Sequence, residues 1–402
     1  MLCLIATRCL GADAPSSGFS TKASLVVEET YDSNVFLQST TALAGRESWV
    51  TTVTPALVLN WKGGREASVA FGYAPSWTRF HSERSEDHIA QRLTASAQGR
   101  IGGASGQIQA SASFVDGSDE SPIWTGVGGP PAVGGPAVRD RRDQAVYRTS
   151  GSLTFKSGAW FFRPVGTLYS ADFQTVHRAT TGCQNYVDRN DLNAGIDVGH
   201  PLRDGLNGLL GYRLGMQDQA RLLSYPEEYD NTYHRVLLGL DGRLASWAAF
   251  AVTAGPEFRT YADTVHATMT GRRRTILFLD ASATLTLDAR NTVSLAARQF
   301  EQLSMSGRGA FTDFTLETSW RHKLNKSATI QAALRGYRTE FLRPALRDDW
   351  VVSQRLSASV AITSAWSADA TVSHEEGISR IDGMSGREYD RSAFSVSVKR
   401  LF

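Results

Sequence analysis

Segments of about ten residues in which apolar and polar side chains alternate recur along almost the whole chain, while helical periodicity is hard to find anywhere. A period of two is the pleat of a β-strand, whose successive side chains point to opposite faces. Clear cases are IQASASF (108–114), LNAGIDV (192–198), LDASATLTLD (279–288) and VVSQRLSASVAIT (351–363). Small, β-branched and aromatic residues dominate these runs, as strands prefer. Such a chain has to satisfy its backbone by pairing strand with strand.

The connections come in two kinds that take turns. Tight Gly-rich or polar turns occur at KGGR (62–65), GGAS (102–105), KSG (156–158), RDG (203–205), LAS (244–246), ARN (289–291), NKS (325–327) and TSA (363–365). These are hairpin signals. Between them run longer polar connections near 37–47, 79–87, 116–143, 174–185, 220–231, 262–273, 303–312, 342–349 and 377–388. Eight short turns and nine longer loops join eighteen strands. A soluble β-sandwich has no need of loop lengths that alternate so regularly; a membrane barrel does.

The two faces of each strand differ in kind. Ile89, Leu93, Ala95, Ala97 and Ile101 oppose Arg92, Thr94, Ser96, Gln98 and Arg100. Val236, Leu238, Leu240 and Leu244 oppose Arg235, Asp241 and Arg243, and Leu277, Leu279, Ala281, Ala283, Leu285 and Leu287 oppose Asp280, Ser282, Thr284, Thr286 and Asp288. One face is hydrocarbon-like and the other is too polar to pack as a core. Alternation alone fits a sandwich with its apolar face inward as well as a barrel with its apolar face outward. Tryptophan separates them: seven of nine (Trp49, Trp61, Trp77, Trp160, Trp247, Trp350, Trp366) fall near predicted strand ends, where a membrane interface half-wets the ring. Gln91, Gln354 and Arg338 interrupt the apolar face; Arg338 is placed to snorkel, and the two glutamines have no sequence-level account.

Composition agrees with this reading. Net charge is +2, apolar content 42% and mean hydropathy −0.24 over 402 residues, and no run of about 18 apolar residues exists for a helical span. Charge this balanced gives no reason to expect nucleic acid. Cys3 and Cys9 sit at the start, and Cys183 alone in the body cannot form an internal disulfide. Residues 1–14, MLCLIATRCLGADA, carry an apolar stretch and small residues near Ala12 and Ala14, as the remnant of a secretory signal would. Residues 15–402 are then one barrel domain. The predicted fold is all-β: a transmembrane antiparallel up-and-down β-barrel of about eighteen strands, with sixteen as the alternative. The short lead before the first strand leaves no room for a plug.

The segment SLVVEETYDSNVFLQ (24–38), with its ETYDSNVF core, followed by hairpins and a strand ending at Phe402, resembles the β-barrel porins of Gram-negative outer membranes. Some members of that group are associated with exopolysaccharide export. The end, FSVSVKRLF, is similar to the C-terminal signal read by the barrel assembly machinery: Phe394, Val396, Val398 and Phe402 match, and Arg400 departs from the pattern. The resemblance implies an outer-membrane location. Short turns and both termini are then expected on the periplasmic side, with outer-membrane lipid and lipopolysaccharide as neighbours.

On this register the lumen is lined by Arg92, Arg100, Arg148, Arg163, Arg189, Arg213, Arg235, Arg243, Arg259, Arg298, Arg321, Arg335, Arg355, Arg391, Lys323 and Lys399. They face Glu28, Glu66, Asp191, Asp197, Asp241, Glu257, Asp280, Asp288, Glu317, Asp369 and Glu375. The surplus of cations fits mild anion preference. Cross-pairing that braces the wall, as among Arg235, Asp241 and Arg243, explains any single residue at least as well. Loop 116–143, with SPIWTGVGGPPAVGGPAVRDRR, is a candidate constriction in which Asp116, Asp119 and Glu120 would face Arg139, Arg141 and Arg142; a surface loop is the alternative.

No nucleophile elbow, HExxH, phosphate-binding Gly loop or Cys/His cluster is present. Loop acids Asp218, Glu227, Glu228 and Asp230 lack any catalytic partner beyond an isolated Ser224 and His234. No enzyme chemistry, cofactor or metal is expected. The expected activity is passive diffusion of small polar, anionic or sugar-like solutes. The alternatives are a conduit for exopolysaccharide, working with periplasmic export components, and a structural or adhesive barrel. Few lumen aromatics (Tyr233, Phe161, Tyr169) favour the simple channel over a polysaccharide path.

Overall fold

The computed structural model describes residues 18–39, 42–63, 67–117, 143–173, 187–220, 228–262, 271–304, 309–342, 347–381, 384–385 and 388–402. The first six strands are β1 (Gly18–Asp32), β2 (Ser48–Gly63), β3 (Ala67–Phe80), β4 (His88–Ile101), β5 (Ala104–Asp116) and β6 (Gln144–Ser157). Then come β7 (Trp160–Asp172), β8 (Arg189–Arg203), β9 (Leu206–Gln219), β10 (Asn231–Ala245), β11 (Ala248–Tyr261) and β12 (Arg273–Thr286). The last are β13 (Asn291–Leu303), β14 (Ala310–Lys323), β15 (Ala328–Phe341), β16 (Arg347–Ala361), β17 (Trp366–Ile381), the two-residue β18 (Met384–Ser385) and β19 (Tyr389–Leu401). β18 only pairs back on Arg380 and Ile381, so eighteen strands build the wall.

Each strand pairs antiparallel with its sequence neighbour, and β1 pairs with β2 on one side and β19 on the other, from Ser24↔Leu401 to Asp32↔Ala393. The sheet closes on itself as a cylinder. Its exterior carries the large apolar side chains: Leu238 is 70% exposed, and Ile108, Leu214, Leu277, Leu316, Leu356 and Val372 are likewise exposed. A closed wall whose exposed large apolar side chains look outward is solvated by hydrocarbon, so the barrel spans a membrane.

Two aromatic belts mark its height. Trp49, Trp77 and Trp350 sit near the long-loop end; Trp61, Trp160, Trp247, Trp320 and Trp366 sit near the short-turn end. β2 carries both Trp49 and Trp61, twelve residues apart. At ~3.3 Å per residue and a tilt of about 40°, that is roughly 30 Å of membrane height, the distance between two interfaces.

Seven of the eight short turns fall where the sequence places them, and the KGGR turn lies at residues 64–66, outside the described residues. Several long loops are shorter than expected because the strands run on: β13 and β14 extend to Leu303 and Ala310, and β17 to Ile381. The connection 81–87 contains a single 3-10 turn, Arg84–Glu86. The loop segment 118–142 and residues 1–17 lie outside the described residues, as do the expectations that fall on Asp119, Glu120, Arg139, Arg141, Arg142, Glu66, Cys183 and the signal remnant.

One seam differs from all the others. At the loop end every neighbouring pair is laddered to within a few residues of the strand tips, except β12 with β13. β12 is paired with β11 up to Thr260↔Arg273, but with β13 only as far as Leu279↔Gln299. Beyond that point β13 stays with β14, through Leu303↔Ala310, and β14 stays with β15, through Phe311↔Phe341, so β13 turns inward as the edge of a sheet that is otherwise continuous.

Candidate functional site: the barrel lumen

Strand parity decides which side chains face inward. Tyr147, Phe162, Tyr212, Val236, Leu240, Phe258, Leu277, Leu295, Leu316, Trp320, Leu334 and Leu356 are exposed on the outer wall. The residues one step away from them in the pleat therefore face the lumen. Arg92, Arg100, Arg148, Arg163, Arg189, Arg213, Arg235, Asp241, Arg243, Glu257, Arg259, Asp280, Arg298, Glu317, Arg321, Arg335 and Arg355 all lie on that inner parity. Asp116, on the opposite parity at the tip of β5, is exposed. Asp288 is no lumen residue: it lies in the β12–β13 turn, where Oδ1 accepts the N–H groups of Arg290 (2.6 Å) and Asn291 (2.7 Å).

Most inner charges brace one strand against another, while Arg259–Glu257 on β11 and Arg347–Asp349 on β16 pair within a strand. Arg163 on β7 bridges Asp197 on β8 (3.0 Å) and Asp241 on β10 (3.1 Å), while Arg213 on β9 holds the other oxygen of Asp197 (2.7 Å). Arg235 pairs with Glu257 on β11, not with Asp241 as the one-strand grouping had it. Arg391 forks onto Asp32 across the closing seam, at 3.0 and 2.7 Å. Arg298 reaches Asp280 at 3.3 Å. Among the described residues Arg148 and Arg335 have no carboxylate within ion-pair distance; Arg148 lies over the Tyr169 ring at 5.4 Å and Arg335 over Tyr337 at 5.6 Å.

The loop half of the lumen is densely filled, and its centre is Arg259. This guanidinium is fully buried and donates to Glu257 Oε1 (2.6 Å), Gln217 Oε1 (2.6 Å), Asn231 Oδ1 (2.7 Å) and the Glu301 carbonyl (3.1 Å). Arg235 is sandwiched between the rings of Tyr233 (4.4 Å) and Phe278 (4.1 Å). The Tyr233 hydroxyl donates to Asp191 at 2.8 Å, which also accepts from Gln217 at 2.7 Å. Tyr233 fits there because Gly215 lies opposite it: a Cβ on that glycine would come within 2.1 Å of the ring. The same device seats Phe161 over Gly199 and Tyr389 over Gly377.

What narrows this half is the end of β13 that has parted from β12, with β14 laddered to it. Its main-chain carbonyls are hydrogen-bonded from the facing wall: Glu301 from Gln217 (3.2 Å) and Arg259, Leu303 from Arg189, and Ser304 from Gln219 (2.5 Å). Those donors stand on β8, β9 and β11, so the hairpin end has folded into the lumen and lies against the inner wall. Leu303 and Ala310 are buried in a cluster with Tyr229, Tyr261 and Leu342. The Glu301 carboxylate, 0% exposed, contacts Arg259 Nε (3.2 Å), Arg274 Nε (3.2 Å) and the Tyr261 hydroxyl.

Sequence reasoning placed a loop here and looked for the constriction in 116–143. The missed signal is parity: Gln299 and Glu301 continue the apolar face of Val293, Leu295 and Ala297 with polar groups. Lumen aromatics were also undercounted, since Tyr261, Phe278, Tyr337 and Tyr389 join Tyr233, Phe161 and Tyr169 on the inner parity. Most of them are covered by an arginine or a hydroxyl–carboxylate bond, so they are bracing groups and not open stacking platforms.

Arg338 and Gln91, two polar interruptions of the outer face, also find partners. Arg338 forks onto Asp348 at 3.1 Å twice and stacks on Trp350 at 5.1 Å. Gln91 accepts from the Tyr73 hydroxyl at 3.4 Å, and Gln354 lies in register with His374. Arg400 stacks on Trp366 (5.3 Å) and Phe402 (4.7 Å), which accounts for a cation within the apolar pattern of the last strand.

The sequence matches no protein-family model and no curated protein. Among solved structures it is similar to OccK1 (OpdK) of Pseudomonas aeruginosa, at 12% identity and TM-score 0.47 over 95% of this chain and 99% of that one. OpdK solved with vanillate is 11% identical, with TM-score 0.46 over 95% and 99%. A bacterial polysaccharide outer membrane secretin is 10% identical, with TM-score 0.38 over 94% and 98%. Similarity at this level assigns no cargo to this chain.

Proposed function

We propose that the chain is an outer-membrane diffusion channel of porin type, passing small polar solutes, anionic or sugar-like ones included, with no chemical step. The observation that supports this most is a closed eighteen-strand wall, apolar outside and lined inside by charged and polar side chains. An inner face this polar encloses water and not a packed core, and a surplus of arginine along it attracts anions into that path. Short turns and both termini then face the periplasm, long loops meet lipopolysaccharide, and the outward row Phe394, Val396, Val398 and Phe402 serves the assembly machinery.

The test is planar-bilayer recording of the purified protein under a salt gradient. Stable conductance with a reversal potential shifted toward the anion supports the reading. A barrel that inserts without conducting would sink it and return attention to an export or structural role. Protease cleavage in the 116–143 loop on intact cells, with the termini protected, checks the orientation.

A further inference from the structure

The loop-side end of β13 parts from β12 at a defined point, while β13, β14 and β15 stay laddered to one another. Along β12, Arg273 to Phe278 pair with β11 on one side only. The Gln299 side chain caps the first unladdered carbonyl, Leu277, at 3.1 Å. Continuing the present register would set Leu277 opposite Glu301, Ile276 opposite Gln302 and Thr275 opposite Leu303. The backbone needed to complete the wall is therefore present, in register, on the strand that turned away.

The side chains explain why it turned. In the continued register Glu301 would stand on the outer, lipid-facing parity, where a carboxylate is unfavourable. In the inturned arrangement that same parity faces the inner wall. There Glu301 meets Arg259, Arg274 and Tyr261, and Leu303 enters the Tyr229–Tyr261–Leu342 cluster. The bonds from Arg189, Gln217 and Gln219 all go to hairpin carbonyls, so they depend on the position of the main chain and not on hairpin side chains. Two arrangements of one segment each satisfy backbone groups that the other leaves unpaired, which is what a two-state element requires.

We infer that the inturned β13–β14 end is a movable constriction latched by Glu301. When the latch releases, the β13 edge of the β13–β14–β15 sheet swings outward and zips onto the free edge of β12, completing the wall and widening the lumen. This rests on the channel reading for its consequence, though not for the movement itself. Neutralising Glu301 removes both the attraction to Arg259 and Arg274 and the penalty of a carboxylate at the lipid face. Both effects favour the zipped arrangement.

The test combines current and cross-linking, in a background with Cys3, Cys9 and Cys183 replaced by serine. Thr275 is exposed on the outer wall and Leu303 is packed inside the lumen, so a disulfide between Thr275→Cys and Leu303→Cys forms only if the hairpin swings out. With copper–phenanthroline as oxidant the double variant should cross-link, several-fold faster when Glu301→Gln is added. In bilayers Glu301→Gln should occupy a larger conductance level at least tenfold more than the wild type. A heat-modifiable gel shift, retained in every variant, shows that the barrel has folded. Absent cross-linking, together with Glu301→Gln currents identical to the wild type, would overturn the proposal and leave a fixed constriction. Cross-linking without conductance in any variant would uphold the movement and overturn the channel reading.

Discussion

Glycine and aspartate show how much one residue does in a wall of this kind. Tyr233 needs the bare backbone of Gly215 opposite it, because the ring lies flat over that position. Replacing Gly215 with Val should cost about 1–3 kcal/mol by overpacking and displace Tyr233 from Asp191. Urea unfolding of the barrel in lipid vesicles measures this, and an unchanged midpoint would show that the ring has room elsewhere. Asp288 acts differently, by closing a turn. Its carboxyl is held below the usual range, first by the Asn291 side chain and then by the Arg290 and Asn291 N–H groups. A lowered folded-state pKa means that its contribution is present at neutral pH and is lost as the pH falls through that lowered value, below about 4. Amide exchange in the 287–291 turn should therefore accelerate only in that acid window, and Asp288→Asn should abolish the pH dependence.

Hairpins repeat their chemistry from element to element. At the short-turn end Asp288, Asn325 and Thr363 occupy the same place in three successive turns, each accepting two main-chain N–H groups within the next three residues. At the loop end an aspartate immediately precedes β4, β6, β8 and β10. Asp87, Asp143, Asp188 and Asp230 accept the N–H of Phe80, Gly117, Phe173 and Gln219 respectively, where the preceding strand ends. The position before β12 is Arg272, which instead donates to the Tyr261 carbonyl at 3.2 Å. Each aspartate closes a hairpin without needing a tight turn, which lets loop length vary above it. Asp188→Ala should destabilise the barrel by ~1 kcal/mol, the worth of one such bond, with exchange at Phe173 rising most. Asp230 stands apart: burial raises its carboxyl pKa against the effect of the Gln219 N–H, so its charge is less welcome than its acceptor oxygen. Asp230→Asn, which keeps an acceptor and removes the charge, should be the best tolerated substitution of the four.

At the scale of the whole molecule the chain is a protein turned inside out, and one pair of substitutions tests that directly. Leu238 on β10 is 70% exposed on the outer wall, and Thr253 on β11 faces the lumen opposite Gly239. Leu238→Arg should cost ~2–4 kcal/mol if that height is near the membrane midplane, and Thr253→Arg far less. Equal costs measured by unfolding in vesicles would contradict the membrane assignment of the faces.

The period-two pattern, the alternation of short and long connections and the belts of tryptophan together determined an eighteen-strand membrane barrel before any coordinate was needed. The physical reason is that pleat, turn and interface preference are local. Ile89 against Arg92, or Leu238 against Asp241, already declares its face. The closing seam was legible for the same reason, since FSVSVKRLF alternates to its last residue and pairs with β1. Which acid meets which arginine was not legible, because Arg163 chooses Asp197 and Asp241 from strands far apart in sequence. Nor was the inturned end of β13 and β14. Its cause is a contest between one carboxylate's cost at the lipid face and its welcome from Arg259 and Arg274. Only the tertiary structure brings those two arginines to the place where Glu301 can reach them.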